Sequence, residues 1–156
     1  MAGQQLSAVH AGGVRAGVWS GLLATFVATV AGYWFPAVGL PALDLPALNG
    51  ALVVADEASA TFAWSVGVLQ LFGGGVVMAL LYAFWVQMHL PGPGWLRGMI
   101  WGGVLAVVVG LTVFPLLYRG GLFGSAWDGR TVVAVIVWHL LWGAALGVAY
   151  HKRWEH

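Results

Sequence analysis

Val137-Trp138-His139-Leu140-Leu141-Trp142-Gly143-Ala144-Ala145-Leu146-Gly147-Val148-Ala149-Tyr150 is an apolar run with one ionisable side chain. With its flanks it is long enough to cross a bilayer. His139, Gly143, Gly147 and Tyr150 are separated by four, four and three residues, so a helix places them on one face.

The rest of the chain suits a membrane as well. Of its 156 residues 61% are hydrophobic and only 7% are charged, whereas a soluble domain carries about 25% charged residues. The net charge of +1 argues against a nucleic-acid partner, which needs a concentrated basic face. The absence of cysteine excludes disulfides, thiolate zinc sites, iron–sulfur clusters and cysteine nucleophiles. Ten tryptophans suit membrane–water boundaries. Residues Met1 to Gly13 lack the charged-then-apolar pattern of a cleaved leader, so the first hydrophobic segment is expected to stay as a span.

The expected fold class is all-α: one polytopic membrane domain over 1–156, with spans near 16–38, 61–88, 95–118 and 131–150. Trp64 and Trp85 stand about 32 Å apart along the second span, the thickness of a bilayer core. His89-Leu90-Pro91-Gly92-Pro93-Gly94 breaks the chain between the second and third spans. In loop one, Leu40-Pro41-Ala42-Leu43 recurs as Leu45-Pro46-Ala47-Leu48, and Asp44 suits the cap of a short helix with Pro46 in its first turn. That helix is expected at the membrane interface, or as a packed lid. With the N-terminus inside, Arg15, Arg97, Lys152 and Arg153 face the cytoplasm, against Arg119 and Arg130 outside. This satisfies the positive-inside rule and predicts a multi-pass membrane protein with both termini cytoplasmic.

The first and third spans align at one offset: Arg15, Trp19, Gly21, Leu23 and Ala24 match Arg97, Trp101, Gly103, Leu105 and Ala106. The second and fourth match through Gly75 with Gly143 and Tyr82 with Tyr150. Two parallel two-helix repeats, 14–90 and 96–151, are the expectation, related by an axis along the membrane normal. Close helix packing is expected at Gly17 and Gly21, at Gly75 within the run Gly73-Gly74-Gly75, at Gly103, and at Gly143 and Gly147.

Measured from an inner belt of Trp19, Trp101, Tyr82 and Tyr150, the residues Thr29, Gln70, Thr112 and His139 fall at one depth, about 15–18 Å in. A polar layer of these four would satisfy groups that hydrocarbon leaves costly. His139 reads either as a neutral imidazole tied to Gln70 or a threonine, or as a proton relay, ligand contact or cofactor contact. Haem ligation usually needs a second axial ligand, and no other histidine lies at that depth. His10, His89 and His151 fall at the inner surface on chain ends and a turn, and no metal site is expected there. Asp56-Glu57 reads as a solvated loop at a helix start. No catalytic motif is visible, so no catalytic residue is expected.

The pattern His139-x3-Gly143-x3-Gly147-x2-Tyr150, the Phe114-Pro115 end of the third span and the Gly121-Leu122-Phe123-Gly124 loop together resemble an uncharacterised family of small four-helix prokaryotic membrane proteins. In that family the second span often carries a histidine matching the fourth, whereas this chain has Leu71 there, beside Gln70. The resemblance implies the fold and a prokaryotic cytoplasmic (inner) membrane location, and no activity.

Three functions are therefore expected in order. The first is a non-catalytic accessory subunit of a larger respiratory or electron-transfer complex, packed against other membrane subunits or its own copies in the lipid bilayer. The second is a small transporter or channel. The third is a haem- or quinone-binding protein that uses His139 and nearby Trp residues.

Overall fold

The computed structural model describes the backbone of residues 2–55 and 58–154 and the side chains of 13–55 and 58–151. The roles expected of His10, Asp56, Glu57, Lys152 and Arg153 lie outside the described side chains. Helix α1 is Ala2–Trp34 and ends in a 3₁₀ turn, Phe35–Val38. A short α2, Leu45–Ala51, precedes α3, Ala60–Leu81, which continues through a π-helical segment, Tyr82–Val86. Helix α4, Gly94–Leu105, runs through a second π-helical segment, Ala106–Val113, into α5, Phe114–Leu117. Helix α6 is Gly129–Trp154. No strand occurs among the described residues.

Four helical stretches are long and apolar enough to cross a membrane: Gly13–Val38, Ala60–His89, Gly94–Leu117 and Gly129–His151. The fold is therefore all-α and multi-pass. Local chemistry accounts for the ends. Gly39, at φ 79°, turns the chain out of the first span without a Cβ clash. Ser59 accepts from the Phe62 amide at 3.3 Å and starts α3. Asp128 accepts from the amides of Arg130 and Thr131 at 2.8 and 3.0 Å and starts α6. The Thr131 hydroxyl bond, foremost, holds the Asp128 carboxyl below its ordinary value.

Helix α1 packs between α3 and α6, and α4 packs on the other flank of α6. The second and third spans meet only sparsely, which leaves a gap between them. Glycines set a close crossing on each flank of the bundle. On α4, Gly94, Gly98 and Gly102 lie against Gly147, Gly143 and the His139 carbonyl of α6. A methyl on Gly94 would stand 2.8 Å from the Gly147 oxygen, and one on Gly98 would overlap the Gly143 oxygen. On α1, a methyl on Gly21 would stand 3.0 Å from the Gly75 oxygen, and one on Gly17 would stand 2.9 Å from Leu80.

The expected packing glycines do not all meet another helix of this chain. Gly103 has only Leu140 near its missing Cβ, at 3.8 Å, because the buried face of α4 turns one residue earlier, through Gly98 and Gly102. Gly73 and Gly74 meet nothing within 4 Å, so of the three consecutive glycines only Gly75 packs, beside Thr25.

Loop one carries the helix that its Asp-Leu-Pro pattern suggested, and Asp44 caps it through the Ala47 amide at 3.1 Å. The same Oδ1 also accepts from the Tyr33 hydroxyl at 2.9 Å and the Trp64 indole N–H at 3.3 Å. One carboxylate thus ties α2 to the first and second spans. Below it, the Pro46 carbonyl crosses Gly67, and Gly50 crosses the Ala63 carbonyl, which seats α2 on α3. Asp44→Ala is expected to cost about 2 kcal/mol, the sum of a lost cap and two lost side-chain bonds. Denaturant unfolding in detergent checks this; Asp44→Asn, which keeps an acceptor oxygen, should recover part of the loss.

Candidate functional site: a cavity at His139

The gap between the second and third spans holds two adjoining cavities. The larger, about 390 Å³, lies under α2 between Leu43, Leu45 and Leu48 above, Leu71 and Phe114 at the sides, and Trp138 and His139 below. The smaller, about 150 Å³, lies deeper and is lined by Asn49, Gln70, Gly74, Met78, Trp142 and others. Leu71, Phe114, Trp138 and His139 line both, so they form the waist between the two chambers.

Each wall has a local cause. Trp101 donates its indole N–H to the Met78 carbonyl at 3.2 Å and joins the third span to the second beneath the cavities. Trp142, 2% exposed, donates to the Thr25 hydroxyl oxygen at 3.0 Å, fixing the floor between α6 and α1. Gly75 makes room for that hydroxyl, since a methyl there would overlap Thr25 Oγ1. Gly110 makes room for the imidazole: a methyl there would stand 2.7 Å from His139 Cε1. It belongs to the π-helical segment, a geometry that recurs at functional sites.

His139 is 9% exposed, and its Nδ1 lies 2.8 Å from the Val135 carbonyl oxygen. A carbonyl only accepts, so Nδ1 carries a proton, and in the neutral imidazole Nε2 then presents a lone pair. The two described carboxylates, Asp44 and Asp128, are engaged at the ends of α2 and α6. Nε2 and the amides of Asn49 and Gln70 have no hydrogen-bond partner among the described residues. Asn49 is 7% exposed. The Trp138 indole N–H and the Tyr118 hydroxyl also lack partners, but both atoms are sealed behind the wall. Few polar groups line either void: the Asn49 and Gln70 amides border the smaller chamber, Thr131 borders the larger, and His139 borders both.

The four residues expected to form one polar layer do not bond one another. The Thr29 hydroxyl donates to the Thr25 carbonyl at 2.7 Å, and Thr112 to the Val107 carbonyl at 2.9 Å. His139 likewise turns to its own helix. A threonine hydroxyl in a helix always has a carbonyl of the preceding turn in reach, and here that local bond wins over a partner on another helix. Gln70 is exposed at the cavity edge. Of the four, His139 and Gln70 line the smaller cavity, and Thr29 and Thr112 line neither.

Sequence reasoning pointed to the tryptophans near His139 and missed Asn49, Thr25 and Gly110. One signal was present: Asn49 is the chain's single asparagine, set in an otherwise apolar helix. No group of three or more metal-ligating side chains gathers among the described residues. Comparison with protein-family models, with curated proteins and with solved structures finds no match to this chain.

Proposed function

We propose that the protein binds a small lipophilic molecule inside the membrane, in the paired cavities at His139, without acting on it chemically. The observation that carries this reading is the pairing itself. A chamber of about 390 Å³ adjoins one of about 150 Å³; both are mainly apolar, His139 borders both, and the unpartnered amides of Asn49 and Gln70 border the smaller. Ligand pockets have this character, mostly apolar with a few placed polar groups. Of the haem and quinone alternatives the quinone side suits the space better, because a flat macrocycle needs one undivided slot and the void narrows at His139 and Leu71.

Leu71 lines both chambers, so Leu71→Trp should fill the waist. Thermal unfolding in mild detergent is expected to shift upward when an alkylphenol is added to the wild type and to stay still for Leu71→Trp. Equal shifts for the two proteins would refute the cavity as the binding site.

A second reading has its own observation. Leu69, Gly73 and Val77 share an outward face of α3, Gly73 meets open space, and Leu69 is 74% exposed. Another membrane helix has room to approach closely there, as an accessory subunit of a larger complex requires. Co-purification of a stoichiometric membrane partner supports it, and a lone monomer under mild detergent contradicts it. The repeat of 14–90 in 96–151 remains our reading of the chain's origin and rests on the aligned residues of the spans; the crossing in the second half runs through Gly102, one residue before the aligned Gly103. We also read the termini as cytoplasmic and α2 as lying at the outer interface, on the distribution of Lys and Arg.

A further inference from the structure

The geometry points to a narrower ligand class than a lipophile in general: a single aromatic ring bearing a hydroxyl, with an apolar tail, of hydroquinone type. This rests on reading the cavities as a lipophile site. Three observations lead to it.

Size comes first. An apolar cavity of about 150 Å³ holds one benzene-sized ring, and the smaller chamber has that volume. The larger adjoining chamber, walled by Leu43, Leu45, Leu48 and Val135, suits the tail. Wall chemistry comes next. Phe114, Trp138 and Trp142 border the smaller chamber, and Gly74 offers no side chain to block a flat ring. Aromatic rings pair favourably by stacking or edge contact.

The polarity of His139 then sets the functional group. Because Nδ1 donates to Val135, Nε2 of the neutral imidazole is an acceptor, and a ligand meeting it must donate. A hydroxyl does so, whereas a quinone carbonyl would place two acceptors face to face. The Asn49 and Gln70 amides, each both donor and acceptor, accommodate a second ring oxygen in either state. The site therefore discriminates redox states of one ring: the reduced, hydroxyl form is held and the oxidised form is released. No electron or proton changes hands in this binding step.

The test is equilibrium binding to the full chain in lipid nanodiscs, using a decyl-substituted benzohydroquinone, its oxidised benzoquinone and decanol. The wild type is expected to bind the reduced ring about tenfold more tightly than the oxidised one, the worth of one hydrogen bond made instead of an acceptor clash. Decanol, with a hydroxyl and no ring, should bind more weakly than the reduced ring. His139→Gln, which supplies both a donor and an acceptor, should bring the ratio close to one with the fold intact by circular dichroism. His139→Leu should weaken the reduced form and spare the oxidised one, and serves if the glutamine variant does not fold. Equal binding of both redox forms by the wild type, with Leu71→Trp binding neither, overturns the hydroxyl assignment and leaves the cavity reading standing. Decanol binding as tightly as the reduced ring overturns the ring assignment. If Leu71→Trp binds all three probes as the wild type does, the cavity reading itself fails.

Discussion

Gly143→Ala is expected to destabilise the bundle by about 3 kcal/mol, and Gly98→Val to prevent it from assembling. The reason is backbone against backbone. A methyl on Gly143 would overlap the Gly98 carbonyl oxygen, and a side chain on Gly98 would overlap the Gly143 oxygen. Neither obstacle is the end of a flexible side chain, so relief requires α4 and α6 to separate. Separation forfeits dispersion contacts along the whole crossing, and lipid supplies no hydrophobic force to bring the helices back. The control is Gly73→Ala, on the open face of α3 where the new methyl meets nothing within 4 Å. It should fall within about 1 kcal/mol of wild type, on the stabilising side, because alanine favours a helix over glycine. Denaturant titration of helicity in detergent distinguishes the two glycine classes. Equal effects at Gly143 and Gly73 would contradict the packing described here.

Trp142→Ala is expected to cost about 3–5 kcal/mol, the range for emptying a buried large aromatic site. Trp142 is 2% exposed and lines the smaller chamber, so its removal also enlarges that chamber toward Thr25 of α1. Trp142→Phe separates the two contributions. It keeps most of the ring but loses the donor to Thr25 Oγ1, and should cost about 1–2 kcal/mol. Combined with Thr25→Val it should show positive coupling, since the second substitution removes an already broken bond. Additive costs would mean that the Trp142–Thr25 bond contributes nothing to holding α6 against α1.

The four membrane-length helices were legible because apolar length is a property of composition, and it does not depend on how helices rotate. The α2 cap was legible for a similar reason: Asp44 and Pro46 act within one turn. Rotation was not legible. Gly102 and Gly103 are neighbours in sequence yet lie on different faces of α4, and only packing decides which one meets α6. Depth alone likewise grouped Thr29, Gln70, Thr112 and His139, although depth says nothing of which way a side chain points. The π-helical segment at Ala106–Val113 reads as ordinary apolar helix, and it shifts the face of Gly110 and Thr112 relative to α-helical spacing. The cavity arises from a contact that is missing, the sparse meeting of the second and third spans, and hydrophobic patterning records only what is apolar.

His139 nonetheless stands where both lines of argument meet. It is the intramembrane ionisable residue that the sequence singles out, and in the structure it forms the waist of the cavities with an acceptor nitrogen left over. The most direct measurement is organic extraction and mass spectrometry of the protein purified from its membrane in mild detergent, wild type beside Leu71→Trp. A single-ring lipophile near one equivalent per chain in the wild type, and its absence from Leu71→Trp, is the predicted result. Identical small-molecule content in the two proteins would contradict it.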